Sequence, residues 1–474
     1  MSNLSDLLPS GAGGKSFNFV ASGTLANGQT VGLRSDGKVE AVAGVLQSNG
    51  TATVFEADQV YNLTSCYDTA NNKVIIAYRD AANSNFGTSR VGTVSGTSIS
   101  FGTPVVFNSG TSTFMDSAYD VNAGKTVIVY RDNSSSNKGT GIVGTVSGTN
   151  ISFGSEVVFN SGITVDPAIV YDSNAQKVLI AYRDDGAANN GTGIVGTVSG
   201  TSISYGSEYQ FATGYDEDIA CVYDPVAQKS IILYTDGNTN IGYALTATIS
   251  GTAISYGTAV TVESSSMGDF NAATYDVQAG KSVLIYKVGN TISARTAEIS
   301  GTAITLGTKA ASSSTGDHIR ADYSVVSNSH IIAFDNTSNG STLPLTVSGS
   351  SITFGTVNNF YTSAGTAASD VTYDPDSEKT IILYGEGASP YAGYAFVYTA
   401  ASTNVSSFVG ITEAAISNTA TGTVTLQGGI NTKVTGLTIG STYYVQDNGT
   451  LGTGSTSIVA GEALSATSIN LVNT

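Results

Sequence analysis

Short runs of apolar residues alternate along most of the chain with polar segments rich in Gly, Ser, Thr and Asn. Runs of this length, bounded by residues that favour turns, are typical of β-strands. One run returns in nearly the same letters, as IIAYRD at 75–80, VIVYRD at 127–132, LIAYRD at 179–184 and IILYTD at 231–236. The pattern therefore predicts an all-β chain with an internal repeat.

The dipeptide Tyr-Asp sets the period of this repeat. Its tyrosines are Tyr67, Tyr119, Tyr171, Tyr223, Tyr275, Tyr323 and Tyr373, the first five spaced 52 residues apart and the last two following after 48 and 50. Asp follows each tyrosine and Lys comes six residues after it, except in the sixth copy, which has Ser324 and Ser329 instead. The spacing defines seven copies.

Each copy is predicted to hold four strands. In the second copy these are the segment ending in SAYD at 117–120, then TVIVYRD, GIVGTVSG and TNISFGSEVVF, with DVNAGK as the turn between the first two. Asp can cap such a turn, Pro225 and Pro375 favour its next position, and Gly124 and Gly280 can adopt a left-handed conformation before the Lys. The second strand is apolar on both faces, as expected for a sheet packed between two other sheets.

Four-stranded units repeated in this way predict a β-propeller, with an open solenoid as the alternative because periodicity does not show closure. The segment TATVFEADQV (51–60) resembles the fourth strand that the seventh copy lacks, so it is expected to complete the last blade. Neither flank can bury a good core alone. The predicted fold is thus all-β, a seven-bladed propeller (49–400) inserted in a small β domain built from both chain ends (1–48 and 401–474).

Charge and hydropathy exclude several classes of partner. The formal net charge is −17 with only 19 Lys and Arg, which argues against binding DNA or RNA. There is no apolar stretch of membrane-spanning length, and the start MSNLSDLLPSGAGGKS lacks the features of a secretory signal. We expect no nucleic-acid partner, no membrane insertion, and synthesis in a cytoplasm without a signal peptide; a homo-oligomer is left open.

The strongest candidate for a ligand site is a set of acids thirteen residues after the repeat tyrosine. They are Asp80, Asp132, Asp184, Asp236 and Glu386. Acids that converge at one end of a propeller could bind a cation or sugar hydroxyls. The preferred interpretation is structural: each acid starts a loop and caps its backbone. The acids recur in most copies, and architectural residues repeat whereas active sites usually do not.

Arg79, Arg131 and Arg183 precede three of these acids. A sialidase-like propeller would hold a substrate carboxylate with three arginines, but it would also carry repeated boxes ending in Trp, and the chain has no Trp. Arginines at one equivalent position in adjacent copies fit an architectural ladder better. Paired carboxylates for glycoside hydrolysis do not stand out from the repeat. We therefore predict no catalytic residues.

Metal and thiol chemistry have little support in the sequence. His318 and His330 are the only histidines, and without further ligands they make a weak zinc site. Cys66 and Cys221 belong to distant copies, which makes an intrachain disulfide geometrically unfavourable. We predict no metal site and no cofactor.

The two flanks carry a resemblance. The segments MSNLSDLLPSGAGG, ASGTLANGQTVGLRSDGKVEAV and GLTIGSTYYVQDNGTL, with the ending VAGEALSATSINLV, resemble the flanking segments of structural proteins from marine tailed bacteriophages. The tail alone is similar, more loosely, to capsid-decoration (cement) proteins. The resemblance implies a non-enzymatic virion protein on the particle surface, as a head decoration or a tail-fibre or host-binding adhesin. Its implied partners are capsid or tail proteins and host surface glycans.

Loops that differ between the copies support an alternative. DAANSNFGTS (80–89), DNSSSNKGTG (132–141) and DDGAANNGTG (184–193) offer Asn, Ser and Gly groups suited to recognition of glycans or proteins, or they are inert solvated loops. The alternative function is a carbohydrate-binding or glycan-cleaving propeller.

Overall fold

A computed structural model describes residues 15–472, except 35, 269, 337, 363–365, 389–390 and 456–457. The described residues fall into two compact units. One runs from Ser48 to Ala400, and the other joins the residues up to Gln47 with those from Ala401 onward.

Each repeat of the larger unit supplies one antiparallel sheet. The inner strands are Val60–Asp68, Val105–Asp120, Val157–Asp172, Asp216–Asp224, Ala272–Asp276, Asp317–Ser324 and Thr366–Asp374. The second strands are Lys73–Asp80, Lys125–Asp132, Lys177–Asp184, Lys229–Asp236, Lys281–Val288, Ser329–Asp335 and Lys379–Glu386. The third strands are Phe86–Ser95, Lys138–Ser147, Asn190–Ser199, Ile241–Ser250, Thr291–Ser300, Gly340–Ser348 and Gly393–Thr399.

Short strands form the outer edge of each sheet. Those that pair with the end of a third strand are Ser98–Phe101, Asn150–Phe153, Ser202–Tyr205, Ala253–Tyr256, Ala303–Leu306, Ser351–Phe354 and, in the last repeat, Ser48–Asn49. Those that pair with its beginning are Tyr209–Gln210, Val260–Glu263, Ala310–Thr315, Asn358–Tyr361 and Thr53–Glu56. In the first two repeats the long strands Val105–Asp120 and Val157–Asp172 serve as outer edge and then become the next inner strand.

The beginning of the larger unit completes its last sheet. Thr53–Glu56 pairs with the third strand of the last repeat, with Glu56 opposite Gly393. Across the same junction, the Ser65 hydroxyl of the first inner strand donates a hydrogen bond to Asp370 of the last one at 2.6 Å. The sheets therefore close into a ring, and the prediction of an all-β fold with a β-propeller is confirmed.

Burial explains the apolar second strands. Val127, Ile128, Val129 and Tyr130 are all fully buried, because each sheet packs between two neighbours in the ring. The Tyr130 ring lies 5.3 Å from that of Phe107, and the corresponding tyrosines of other repeats make the same contact with a Phe. The prediction of a strand buried on both faces is confirmed.

The repeated Tyr-Asp pair links neighbouring sheets. Asp120 accepts a hydrogen bond from Ala123 N–H at 2.9 Å and so caps the turn of its own repeat. The hydroxyl of Tyr171, in the next repeat, accepts from Asn122 N–H of the same turn at 3.3 Å. Burial, and next the carboxylate of Asp120, raise the pKa of Tyr171. Tyr223 makes the same contact with Asn174 N–H at 3.2 Å, so these two tyrosines reach back to the turn that the preceding Asp holds.

The smaller unit is built from two sheets. The first sheet consists of Ser16–Val20, Thr30–Leu33, Val39–Ala41, Phe408–Thr412 and Thr421–Leu426. The second sheet consists of Ile430–Asn431, Thr442–Val445, Leu451–Gly452, Val459–Ser465 and Ser468–Leu471. A further pair joins Gly44–Val45 to Ser402–Thr403. Ser16 stands opposite Thr425 and Thr30 opposite Ile411, so strands from both chain ends share one sheet. Buried Val31, Val39 and Val424 are part of its core.

The described residues hold three short 3-10 helices, Asn133–Ser135, Asp185–Ala187 and Val405–Ser407. No helix in the described part of the chain is long and apolar enough to cross a membrane.

Candidate functional site

Four of the five acids singled out from the sequence bind their own loops. Asp80 accepts a hydrogen bond from Asn83 N–H, Asp132 from Ser134 and Ser135 N–H, Asp184 from Gly186 N–H, and Asp236 from Asn238 N–H and the Thr239 hydroxyl. Glu386 differs, because its Oε2 is buried without a hydrogen-bond partner among the described residues. None of the five lines the central cavity of the ring.

That cavity is the candidate site. Its volume is about 520 Å³, within the range of roughly 300–1,000 Å³ usual for small-molecule sites. Its described lining comes mainly from the inner strands of the seven repeats and the residues just before them, with Arg79 from a second strand. It combines aromatic rings, carboxylates, amides and guanidinium groups, which allows both stacking and directional hydrogen bonding.

A bulge in the inner strand decides which side chains reach the cavity. Strand register shifts here in most repeats, for example between Tyr61 and Thr64. The residue in the bulge, five positions before the repeat Tyr, has a positive φ in six repeats: Asn62, Phe114, Asp166, Asp218, Phe270 and His318. All six line the cavity. The sequence analysis did not identify this set. Its only signal in the sequence is that the residue five positions before the repeat Tyr varies between repeats.

Two of these six residues are unusual for such a backbone. Phe114 has φ 48° and Phe270 has φ 68°, and bulky residues rarely adopt left-handed conformations. The cost is of the order of 1–2 kcal/mol per residue. The guanidinium of Arg131 lies 4.3 Å from the ring centre of Phe114, and the imidazole of His318 lies 4.3 Å from that of Phe270.

Carboxylates on the cavity wall join neighbouring inner strands. Asp116 accepts from Ile169 N–H at 2.8 Å, and Asp218 accepts from Phe270 N–H at 3.1 Å. Burial raises the pKa of Asp116, and it raises that of Asp370 to about 7 although the Ser65 hydroxyl and then Arg320 oppose it. Asp116 and Asp218 therefore join neighbouring inner strands, and Asp370 gives the cavity wall a carboxyl group that is partly protonated near neutral pH.

The three arginines stand on aromatic rings, at 4.3 Å for Arg79 over Tyr61 and 4.1 Å for Arg183 over Tyr215. Their polar partners differ from one arginine to the next. Arg183 pairs with Asp185 at 2.6 Å, whereas Arg131 donates from Nε to the Thr113 hydroxyl and the Asn133 amide oxygen. The Nε of Arg79 is buried without a hydrogen-bond partner among the described residues, and Arg79 lines the cavity.

The histidines and cysteines considered from the sequence lie outside the cavity described above, except His318 and Cys221. No group of three or more His, Cys, Asp or Glu side chains there could hold a metal ion. His330 is fully buried between Thr274 and Asp276. Cys66 and Cys221 are both free.

Comparison with known proteins supports the fold. No family model and no curated protein matches the chain. Among solved structures, it is similar to the BP39L lectin from Burkholderia pseudomallei, at 9% identity and TM-score 0.53 over 71% of this chain and 95% of the lectin. It is also similar to the NanB sialidase from Streptococcus pneumoniae (12%, TM-score 0.42, 75% and 70%) and to the Dos1 propeller (11%, 0.47, 74% and 95%). At these identities the likeness shows the fold alone.

Proposed function

We propose that the chain is a non-enzymatic carbohydrate-binding protein whose propeller takes a saccharide into its central cavity. The observation that carries the proposal is the pair Phe114 and Phe270, held at positive φ on the cavity wall. Strained backbone of this kind persists where surrounding structure enforces it, and it concentrates at binding sites. A sugar ring can stack on such an aromatic face while amides and carboxylates bind its hydroxyls.

Polar groups close to these rings suit sugar hydroxyls. Asn271 lines the cavity next to Phe270, and its Oδ1 is buried without a hydrogen-bond partner among the described residues. Asp370 and Ser369 lie on the wall of the last repeat. The structure neighbour from Burkholderia pseudomallei is itself called a lectin, which agrees with this use of the fold.

The non-enzymatic part of the proposal rests on how the repeated acids are used. Asp80, Asp132, Asp184 and Asp236 hold loop backbone, and Arg183 is paired with the protein's own acids. A glycan array followed by a hydrolysis assay on each bound glycan tests both parts. We expect binding without turnover. Turnover would make the chain a glycosidase, and an array without any bound glycan would overturn the proposal.

Two substitutions locate the site. The first repeat has Asn62 where the second and fifth have Phe114 and Phe270, and Asn tolerates a left-handed backbone well. Phe114→Asn with Phe270→Asn should therefore fold at least as well as the parent and lose glycan binding. Phe17→Ala, at an exposed Phe of the smaller unit, is the control and should bind normally. Normal binding by the double variant would place the ligand elsewhere.

The resemblance of the flanks favours a second proposal, a role on the surface of a phage particle. The resembling segments supply Thr30–Leu33 and Thr442–Val445 to the smaller unit. Such a protein would contact other capsid or tail proteins and present its propeller to host glycans, as a head decoration or an adhesin. Mass spectrometry of purified particles tests it. Absence from the particles, with abundance in infected cells, would contradict it.

A further inference from the structure

The charges around the cavity are distributed unevenly between the repeats. Arginine stands twelve residues after the repeat Tyr in the first three repeats, and the later repeats hold Thr235, Lys287, Asp335 and Gly385 there. Lys287 forms an ion pair with Asp317, and the Asp335 carboxylate lies 3.2 Å from His318 Nδ1. Among the described lining residues, the guanidinium groups are those of Arg79, in the first repeat, and Arg320, in the sixth, which donates to the Ile319 carbonyl.

Among the described residues, the Arg79 side chain lacks the hydrogen-bond partners that Arg131 and Arg183 have at the equivalent positions. Arg183 has two carboxylate partners, Asp185 and Glu217. For Arg79, the described residues provide a ring contact with Tyr61 and neither a hydrogen bond nor an ion pair from its side chain. The Arg79 side chain is half-buried, and its buried Nε has no hydrogen-bond partner among the described residues, whereas buried charged groups are usually paired. Burial lowers the pKa of Arg79, and the phenol of Tyr61 is the group that opposes this effect.

Arg131, in the next repeat, is also short of negative charge. Its Nε donates to two neutral oxygens, of Thr113 and Asn133. Burial lowers its pKa, Asp166 and Asp185 oppose this effect, and the neighbouring cation Arg183 adds to it. The rings beneath Arg79 and Arg131, those of Tyr61 and Phe114, both line the cavity. Arg79 and Arg131 thus stand over rings of the cavity wall, and the described residues give neither guanidinium an ion pair with a carboxylate.

We propose that Arg79, with Arg131 at the equivalent position of the next repeat, binds an anionic substituent of the saccharide, a carboxylate or a sulfate. This rests on the proposed carbohydrate function and names the class of its ligand. A guanidinium binds either group through two parallel hydrogen bonds, and the ring of Tyr61 holds its plane. The ligand would supply the negative charge that Asp185 and Glu217 supply to Arg183.

The test compares three probes that share a sugar backbone type: oligogalacturonate, its neutral methyl ester, and a sulfated galacto-oligosaccharide. We expect each anionic probe to bind at least about tenfold more tightly than the methyl ester, with affinity falling as NaCl is raised. The preference between the two anionic probes identifies the substituent. Equal affinity for the methyl ester would overturn the inference.

Variants copied from other repeats make the test specific. Arg79→Thr introduces the residue of the fourth repeat, Thr235, and should weaken both anionic probes at least about tenfold. Arg79→Lys keeps the charge without the planar fork and should fall between the two. Lys125→Ser introduces the residue of the sixth repeat, Ser329, and is the control. It removes one positive charge at the beginning of the strand Lys125–Asp132, at the opposite end from Arg131, and should leave the binding of both anionic probes unchanged. Unaltered binding by Arg79→Thr would overturn the inference.

A second readout separates this inference from the carbohydrate function. Sodium sulfate, compared with sodium chloride at equal ionic strength, should raise the Tm of the parent more than that of Arg79→Thr. If no saccharide binds but this difference is present, the anion site stands and the carbohydrate function fails. If a neutral saccharide binds and Arg79→Thr changes neither its binding nor the sulfate effect, the anion site alone fails.

Discussion

The first three repeats and the last four differ at some positions and agree at others. Positions that build the ring are nearly uniform: the Tyr, the Asp after it and the buried aromatic of the second strand recur with few exceptions. Positions that face the cavity vary, as the six residues at positive φ show. Repetition therefore marks architecture in this chain, and the differences between copies mark the site.

The sixth repeat is the natural exception among the architectural positions. It has Ser324 in place of the turn Asp and Phe334 in place of the buried Tyr. In it Tyr323 donates to Asn328 at 2.7 Å, and His330 takes a buried position that is Ser or Thr in several other repeats. This repeat shows which parts of the pattern the ring can lose, and it supplies controls for the experiments below.

The largest effect is expected at the buried aromatic. Tyr130 is fully buried, so Tyr130→Ala should lower the free energy of unfolding by about 3–5 kcal/mol. Tyr130→Phe should cost about 1 kcal/mol, because it loses the hydrogen bond to Glu156 and keeps the ring that Phe334 provides in the sixth repeat. Chemical denaturation measures both. Similar losses for the two variants would show that the hydroxyl, and not packing, fixes this position.

A smaller effect is expected at the turn. Asp120→Ala removes the cap on Ala123 N–H and a neighbour of Tyr171, so it should cost about 1–3 kcal/mol. Ser324→Ala at the same position of the sixth repeat should cost less, because no side-chain cap is lost there. Equal losses would mean that the Asp contributes little to joining neighbouring sheets.

The sequence predicted the fold more fully than the site, for a physical reason. The repeat period, the turn residues and the outer strand missing from the last repeat can all be recognised from local sequence patterns. These patterns identified Gly124 and Gly280 as turn residues, and both are left-handed in the structure. The cavity residues depend on the bulge after Tyr61 and its equivalents. A bulge breaks the alternation of faces along a strand, so a period of two cannot show that Phe114 or Asp116 faces the axis. Four of the five acids chosen for their repetition bind their own loops.

The last repeat holds a buried acid, Asp370, that should make the stability of the protein depend on pH, and the third, fourth and fifth repeats lack this acid. Asp370 is buried with its pKa raised to about 7, and those three repeats have Ala168, Ala220 and Ala272 at its position. Between the folded and unfolded pKa values of such an acid, the folded state binds a proton that the unfolded state does not bind. Stability should therefore rise as pH falls from about 7 to about 4, the value for an unfolded Asp.

Asp370→Asn should remove much of that rise, because the amide carries no charge at any pH in this window. Denaturation at several pH values measures it, with Asp58→Asn, at an exposed acid, as the control that keeps the rise. An unchanged slope in Asp370→Asn would assign the titration to another buried acid, such as Asp116 or Asp322.

The smallest effect concerns the turn residue before the Lys. Gly124 has φ 65°, and the equivalent Gln176 and Gln228 have φ 55° and 56°, so this position is left-handed whether or not it holds glycine. A Cβ at Gly124 would meet only the Tyr119 hydroxyl, at 3.9 Å, so space is not limiting. Gly124→Gln should therefore change stability by about 1 kcal/mol or less, and Gly124→Val should cost more because a β-branched residue disfavours this backbone. Equal losses of stability in the two variants would show that the turn of the second repeat depends on glycine itself. The third and fourth repeats would then tolerate Gln through contacts that the second repeat lacks.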